Sequence, residues 1–571
     1  MVQMRSFLGG LLGSILAYLR RRSLCFGLTH LGTISVDFNP AFLTFDEFDK
    51  GGDALVITSF FTVKFPPPGT GGPPIPIPLA PDLVARIFVD EDKSFDTDSV
   101  NAPEILTGKD SGAPPGPPRT VWPNEAQLAP DGVFPFEALV VAQGFLATPQ
   151  PGRLSAIDVS TGEEYIIDQS VGLGADSRAY HQSVFLDMDN DGSVDIVSVR
   201  TGERVFPPPK PPTAGELVWF KNPGQNIDKN VGWEENILVD GLGPDIEITD
   251  YDLDGDGVPE FLTTHFFTGD KVTVYGIDGE GDWSTVVRGE NTIRSVDIST
   301  DQGKPFGIQV VDLNGDGTVD ILTTNHQADN CNFQTDIPGR VYAITPPSNK
   351  ADLYNANRWS TRILLDKIYP QPSTVGARAS RLAPGKALSF YPTKREEVRG
   401  QRPWIVIGGD EAGKVWVFRP RRYSRWGYDI QIVFDINDFY GPGTTQAFLP
   451  DKPLITISTI GTVATRYDRS GIDGVTELYI PVFEAQEIHV LSFRNFGVNP
   501  PGKGVACLRD KQIPCPVGGP PGGGPPGEGG PPVGCGPSGG PPPGVATQGV
   551  ATQPEEIVPG INDCDSWDLS K

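Results

Sequence analysis

Three stretches of the chain repeat one another. Phe185 to Arg200 reads FLDMDNDGSVDIVSVR, Thr249 to His265 reads TDYDLDGDGVPEFLTTH, and Val310 to His326 reads VVDLNGDGTVDILTTNH. Aligned on their first loop aspartate they start at Asp187, Asp252 and Asp312, 65 and 60 residues apart. Each has an apolar run, a nine-residue acidic loop and a second run rich in β-branched residues, the pattern of two strands joined by a metal loop. One such unit cannot bury its own apolar faces, so a period of this size in a chain of 571 residues predicts a repeat array.

Weaker copies extend the series. Tyr467 to Val482 (YDRSGIDGVTELYIPV) has the loop with one residue inserted, and Phe45 to Phe60 (FDEFDKGGDALVITSF) has a broken version. Phe136 to Gly144 (FEALVVAQG) and Trp404 to Phe418 (WIVIGGDEAGKVWVF) read as strand pairs without the loop. Many units are followed by a closing strand such as Glu216 to Lys221, Lys271 to Tyr275 or Arg340 to Ile344. Four short strands in each of about seven units predict an all-β fold, a seven-bladed β-propeller over residues 29–497, in which ring closure removes open sheet edges. A solenoid is the competing architecture, and six or eight blades stay open because two units lack the acidic loop.

The two ends differ from this repeat. In residues 1–28, Arg5 precedes a 13-residue apolar run, Phe7 to Leu19, which has the proportions of a signal peptide and is short for a bilayer span. Arg20, Arg21 and Arg22 follow directly, which disfavours cleavage and keeps an uncleaved membrane anchor open. Residues 498–571 contain Val517 to Gly544, a Pro/Gly tract that cannot bury a core and reads as a disordered tail. Four of the six cysteines, Cys507, Cys515, Cys535 and Cys564, lie there without C-x-x-C spacing, which suits disulfides in an oxidising compartment better than zinc. The expected location is secreted or on the extracellular surface.

Each full loop follows D-x-[DN]-x-D-G-x-x-[DE]. Ca²⁺ takes six to eight oxygens, and a tight turn aims loop positions 1, 3 and 5 inward, with a backbone carbonyl at position 7 and a carboxylate at position 9. Glycine at position 6 permits the turn. The expected side-chain ligands are Asp187, Asp189, Asp191 and Asp195; Asp252, Asp254, Asp256 and Glu260; and Asp312, Asn314, Asp316 and Asp320. Asp468, Ser470, Asp473 and Glu477 form a distorted version, while Asp46, Asp49 and Asp53 read as a plain turn.

These loops, with their flanking strands, resemble the FG-GAP/VCBS repeat family, the propeller class that includes integrin α-subunit heads. EF-hands are set aside because the segments after Asp195 and Asp320 are β-rich rather than helical. The resemblance implies a propeller whose ligands bind on the face opposite the calcium loops. His181, His265, His326 and Arg200 are expected to open onto that face, where a convergent set would bind a metal, an acidic sugar or a peptide carboxylate, or supply acid–base groups.

With 72 acidic and 46 basic residues the formal charge is −26, which excludes phosphate-backbone binding and hence nucleic acid as a main partner. No phosphate loop, dinucleotide fingerprint, G-x-S-x-G or H-E-x-x-H occurs. The leading expectation is a calcium-stabilised extracellular module that binds protein or carbohydrate. The second is a metal-assisted polysaccharide lyase or sugar dehydratase working through the histidines.

Overall fold

The structure, a computed structural model, describes residues 28–493 apart from loop segments that include 65–74, 90–101, 108–121, 145–151, 170–177, 203–213, 329–336, 372–381, 447–454 and 469–474. The N-terminal segment, the tail and all six cysteines lie outside the described residues, as does a separate unit, Leu508–Lys571.

Seven four-stranded antiparallel sheets follow one another as blades 1 to 7. In blades 1 to 6 the strands pair in chain order. Blade 3 is Arg178–Leu186, Asp195–Gly202, Ala214–Lys221 and Glu234–Val239. Blade 4 is Ile248–Tyr251, Glu260–His265, Lys271–Asp278 and Thr292–Ser299, and blade 5 is Pro305–Val311, Asp320–Asn325, Gly339–Thr345 and Ser360–Ile368. Blade 7 takes three strands from the end of the array, Ala464–Asp468, Val475–Val482 and Glu487–Ser492. Its fourth is Thr29–Ser35 from the beginning, registered through Thr29 opposite Ser492 and Ile34 opposite Ile488. A parallel bridge between Phe42 and Thr462 joins blade 1 to blade 7, so the ring is closed by backbone hydrogen bonds and neither end of the array is left as a free sheet edge.

The second strands are almost wholly buried because each is covered on both faces, and their apolar side chains point alternately to opposite neighbours. In blade 4, Phe261 packs into the core shared with blade 3, and Leu262 into the core shared with blade 5. In blade 5, Ile321 faces blade 4 and Leu322 faces blade 6. Seven apolar clusters result, one between each adjacent pair of blades, including the pair that closes the ring. The first strands surround the central channel. Residues of all seven blade starts, from Phe42 in blade 1 to Thr462 ahead of blade 7, line a cavity of about 250 Å³.

The seven units read from the sequence fall one to a blade, with one correction to their internal assignment. Phe136 to Gly144 supplies a single strand, Ala138–Gln143, not a pair; its partner is the preceding Pro123–Leu128. That strand, PNEAQL, has little apolar content because it borders the channel, so it lacks the alternation of a half-buried strand. Trp404 to Phe418 is a strand pair as expected, the second and third strands of blade 6, whose first is the four-residue Ala387–Phe390.

Candidate functional site

Two groups of polar residues stand out, one in the acidic loops and one in the channel. Each loop joins the first and second strands of blade 3, 4 or 5, so all three emerge from the same side of the ring.

The loops share one internal architecture. The carboxylate at position 1 holds the turn through at least two backbone N–H groups. Asp187 accepts from Asp191 (3.2 Å) and Gly192 (2.9 Å), Asp252 from Gly255 (2.6 Å) and Gly257 (2.9 Å), and Asp312 from Gly315 (2.7 Å) and Gly317 (2.9 Å). Positions 4 and 6 are left-handed in every loop: Asn190 (φ 59°) and Gly192 (90°), Gly255 (83°) and Gly257 (91°), Gly315 (73°) and Gly317 (86°). That accounts for Gly and Asn at these places. Position 2 is an apolar plug, with Met188, Leu253 and Leu313 completely buried in the blade cores. The plug's N–H donates to the carboxylate at position 9: Met188 to Asp195 (3.0 Å), Leu253 to Glu260 (2.8 Å) and Leu313 to Asp320 (3.2 Å).

Acidic oxygens are thereby concentrated. Asp187, Asp189 and Asp195 each bring one oxygen within 4.8 Å of the others, as do Asp252, Asp254 and Glu260. Burial pushes Asp195 up to about 6, Glu260 up to about 7 and Asp320 up to about 6, and neighbouring loop carboxylates add to the rise in each. In the third loop Asn314 Oδ1 is buried without a hydrogen-bond partner. A buried unpaired carbonyl oxygen is costly, and it sits at loop position 3, where a cation ligand is expected. The donor set therefore fits a hard divalent ion. Basic groups that sequence spacing did not reveal also approach the loops. Lys221, at the end of a third strand, pairs with Asp189 and with Asp191 (2.9 Å), and Arg294 lies 3.7 Å from Asp254. Arg402 instead reaches backbone, its Nε donating to Leu313 O at 2.8 Å.

The weaker loops are less complete. Ser470 and Asp473 lie outside the described residues, and Glu477 is a strand residue 3.6 Å from Arg466, hydrogen-bonded to the Tyr479 hydroxyl at 2.9 Å. Asp46 and Asp53 sit in the two paired strands of a hairpin on either side of Asp49, with Phe48 opposite Gly52.

Of the four residues expected on the opposite face, two approach one another. His181 meets the ring of Phe306 edge-on (centroids 5.6 Å apart), and His326 stacks on that same ring (4.5 Å). His326 also pairs with the Pro384 carbonyl (2.8 Å) and lies 3.4 Å from Asp410. Burial lowers His181 to about 3 and His326 to about 4, so both imidazoles are neutral at pH 7. The other two are turned into their own blades. His265 lies between the hydroxyls of Thr268 and Tyr275, 3.2 Å from each. Arg200 is fully buried, with Nε on Glu216 (2.6 Å), a two-pronged contact to Glu235 (2.8 and 2.9 Å) and Nη1 on the Tyr180 hydroxyl (3.0 Å). The expected four-residue convergence is not formed, because strand pleat turns alternate residues away from the channel, and spacing after the loop does not fix that phase.

The channel instead presents groups that the sequence reading passed over. Glu247, immediately before the first strand of blade 4, carries Oε1 2.9 Å from His181 Nδ1 and 2.8 Å from Lys386 Nζ. Lys386 also contacts Glu125 of blade 2. Complete burial raises Glu247 and lowers Lys386, each toward its uncharged form. No motif marks these residues, since each stands alone at a different blade start.

The FG-GAP-like repeat family matches residues 252–323, which hold the second and third acidic loops. No curated protein matches the chain. Among solved structures, the Dos1 propeller is 11% identical with TM-score 0.37, covering 82% of this chain and 96% of its own. A complex of S. cerevisiae Dbp5 bound to Nup159 and Gle1 gives 9%, 0.38, 82% and 95%. The PQQ-bound aldose sugar dehydrogenase from Streptomyces coelicolor gives 12%, 0.32, 66% and 96%.

Proposed function

We propose that this seven-bladed propeller, with its FG-GAP-like repeat, is a calcium-stabilised extracellular binding module for a protein or glycan. The observation that carries the reading is the common build of the three loops, an apolar plug at position 2 and a buried carboxylate at position 9, with acidic oxygens gathered at one point in the first two and Asn314 Oδ1 left unpaired in the third. Bound Ca²⁺ would be held by the twelve loop residues from Asp187 to Asp320 named above and would supply positive charge beyond the contacts of Lys221 and Arg294. It would act on the fold rather than on a substrate, stabilising blades 3 to 5 by binding the folded form alone. The rigid ring then offers its loops as a ligand platform. Catalysis by His181, His265, His326 and Arg200 acting together has less support, since His265 and Arg200 are engaged within their own blades.

The test is binding of the full chain to arrays of glycans and extracellular proteins, in Ca²⁺ and in EGTA. Saturable binding that EGTA abolishes, and that Asp252→Asn and Asp312→Asn weaken, is the expected outcome. Binding indifferent to Ca²⁺, or no ligand in either panel, contradicts the reading.

A further inference from the structure

We propose that Glu125, His181 and Glu247 form a site for one divalent transition-metal ion of the zinc, manganese or cobalt class in the central channel, with Lys386 as the resident counter-ion of the metal-free form. The site shares no residue with the acidic loops.

The three residues come from the channel ends of consecutive blades: Glu125 in Pro123–Leu128, His181 in Arg178–Leu186, and Glu247 just ahead of Ile248–Tyr251. One ligand atom of each lies within 4.8 Å of the other two, and Glu247 and His181 are both more than nine-tenths buried. The imidazole is fixed from two sides, with the rings of Phe42 and Phe306 meeting it edge-on at 5.5 and 5.6 Å. Its Nδ1 comes within 2.9 Å of Glu247 Oε1, yet neither atom has an aligned hydrogen bond. Two buried polar atoms this close without an aligned hydrogen bond, one of them also 2.8 Å from Lys386 Nζ, are groups that a bound cation would satisfy.

Charge supports the same conclusion. Two carboxyl groups, Glu125 and Glu247, face the single amine of Lys386, and a divalent ion would balance both of them as carboxylates. One imidazole nitrogen beside two carboxylate oxygens selects borderline first-row ions over Ca²⁺, which takes oxygen alone. Three protein ligands leave coordination positions open. Glu125, Glu247 and Lys386 all line the 250 Å³ cavity, so those positions face a space able to admit water or a small ligand. The same cavity gives the Lys386 side chain room to withdraw.

The experiment uses the full chain in saturating Ca²⁺, so that the acidic loops are occupied, titrated with Co²⁺ by visible absorption and with Zn²⁺ by calorimetry. One Co²⁺ per chain is expected, with a spectrum of mixed nitrogen and oxygen ligation that Zn²⁺ displaces. His181→Gln and Glu247→Gln should each weaken binding by at least about tenfold, the lower bound seen even for outer-shell changes. Lys386→Met should tighten it by about tenfold or more by removing the amine that competes with the ion for Glu125 and Glu247, a gain that misfolding cannot imitate. Affinity unchanged in His181→Gln and Glu247→Gln, or no binding by the parent chain, overturns the proposal. Binding by Lys386→Met alone overturns it as well, since Lys386 would then be a permanent plug.

Discussion

Replacing Arg200 by methionine should unfold the ring at a lower temperature without touching ligand binding. The guanidinium is fully buried, and its donors are divided among Glu216, Glu235 and the Tyr180 hydroxyl, with Asp168 of blade 2 at 3.5 Å. Methionine fills much of the volume but leaves three carboxylates facing one another, with Arg178, 3.3 Å from Glu235, still close. Breaking a buried pair by removing one partner costs about 3–5 kcal/mol. The carboxylates keep some contact with solvent, Glu235 at 30% and Glu216 at 14% exposure, which favours the lower end, about 3 kcal/mol. At about 2.1 cal/mol/K per residue, the unfolding entropy of residues 29–497 is about 1 kcal/mol/K, so the midpoint should fall by about 3 °C in calorimetry. Arg200→Lys should lie between the two, because an ammonium cannot reproduce the forked contact to Glu235. Arg200→Met combined with Glu216→Gln and Glu235→Gln should recover most of the loss. A drop below about 1 °C for Arg200→Met, or loss of ligand binding at unchanged stability, would refute a structural role for this residue.

Two further outcomes follow from the geometry. At the ring closure, a Cβ on Gly461 would meet the Ala41 carbonyl oxygen at 1.9 Å, so Gly461→Ala should cost about 2 kcal/mol or more in urea denaturation, and an unchanged urea midpoint would contradict the closure described. Burial lowers His265 to about 3 from its ordinary 6.5, so the unfolded chain takes up this proton first, and its contribution to stability declines as pH falls below about 6.5. At pH 5 the decline is about 2 kcal/mol relative to pH 8. His265→Gln should therefore lose less stability between those pH values than the parent by about that amount, whereas identical pH profiles would mean that the ring is protonated in the fold.

Much of the fold was legible because its signal is local and repeated. The runs after Asp195, Glu260 and Asp320 open on apolar, β-branched or aromatic residues and are buried at every position, as a strand covered by blades on both faces must be, and the nine-residue loops mark where those strands begin. The first strands were harder to read. Pro123–Leu128 borders a polar channel and loses the apolar alternation that announces a strand, while Ala387–Phe390 is only four residues long. The closing strand was missed as a partner of Glu487–Ser492 because that pairing spans the whole array, and nothing in THLGTIS specifies its mate. The loop residues were placed by spacing within one turn. The channel group required knowing which blade start lies beside which, and Glu125, Glu247 and Lys386 carry no local mark of that neighbourhood.

The most direct test of the account is thermal unfolding of the full chain in EGTA and in Ca²⁺, alongside Asp187→Asn, Asp252→Asn and Asp312→Asn. The account predicts a midpoint that rises with Ca²⁺ concentration, as expected for an ion that binds only the folded state, and a smaller rise in each variant. At Ca²⁺ a hundredfold above Kd, one site contributes about 2.7 kcal/mol. A midpoint that does not move with Ca²⁺ in the parent chain would contradict it.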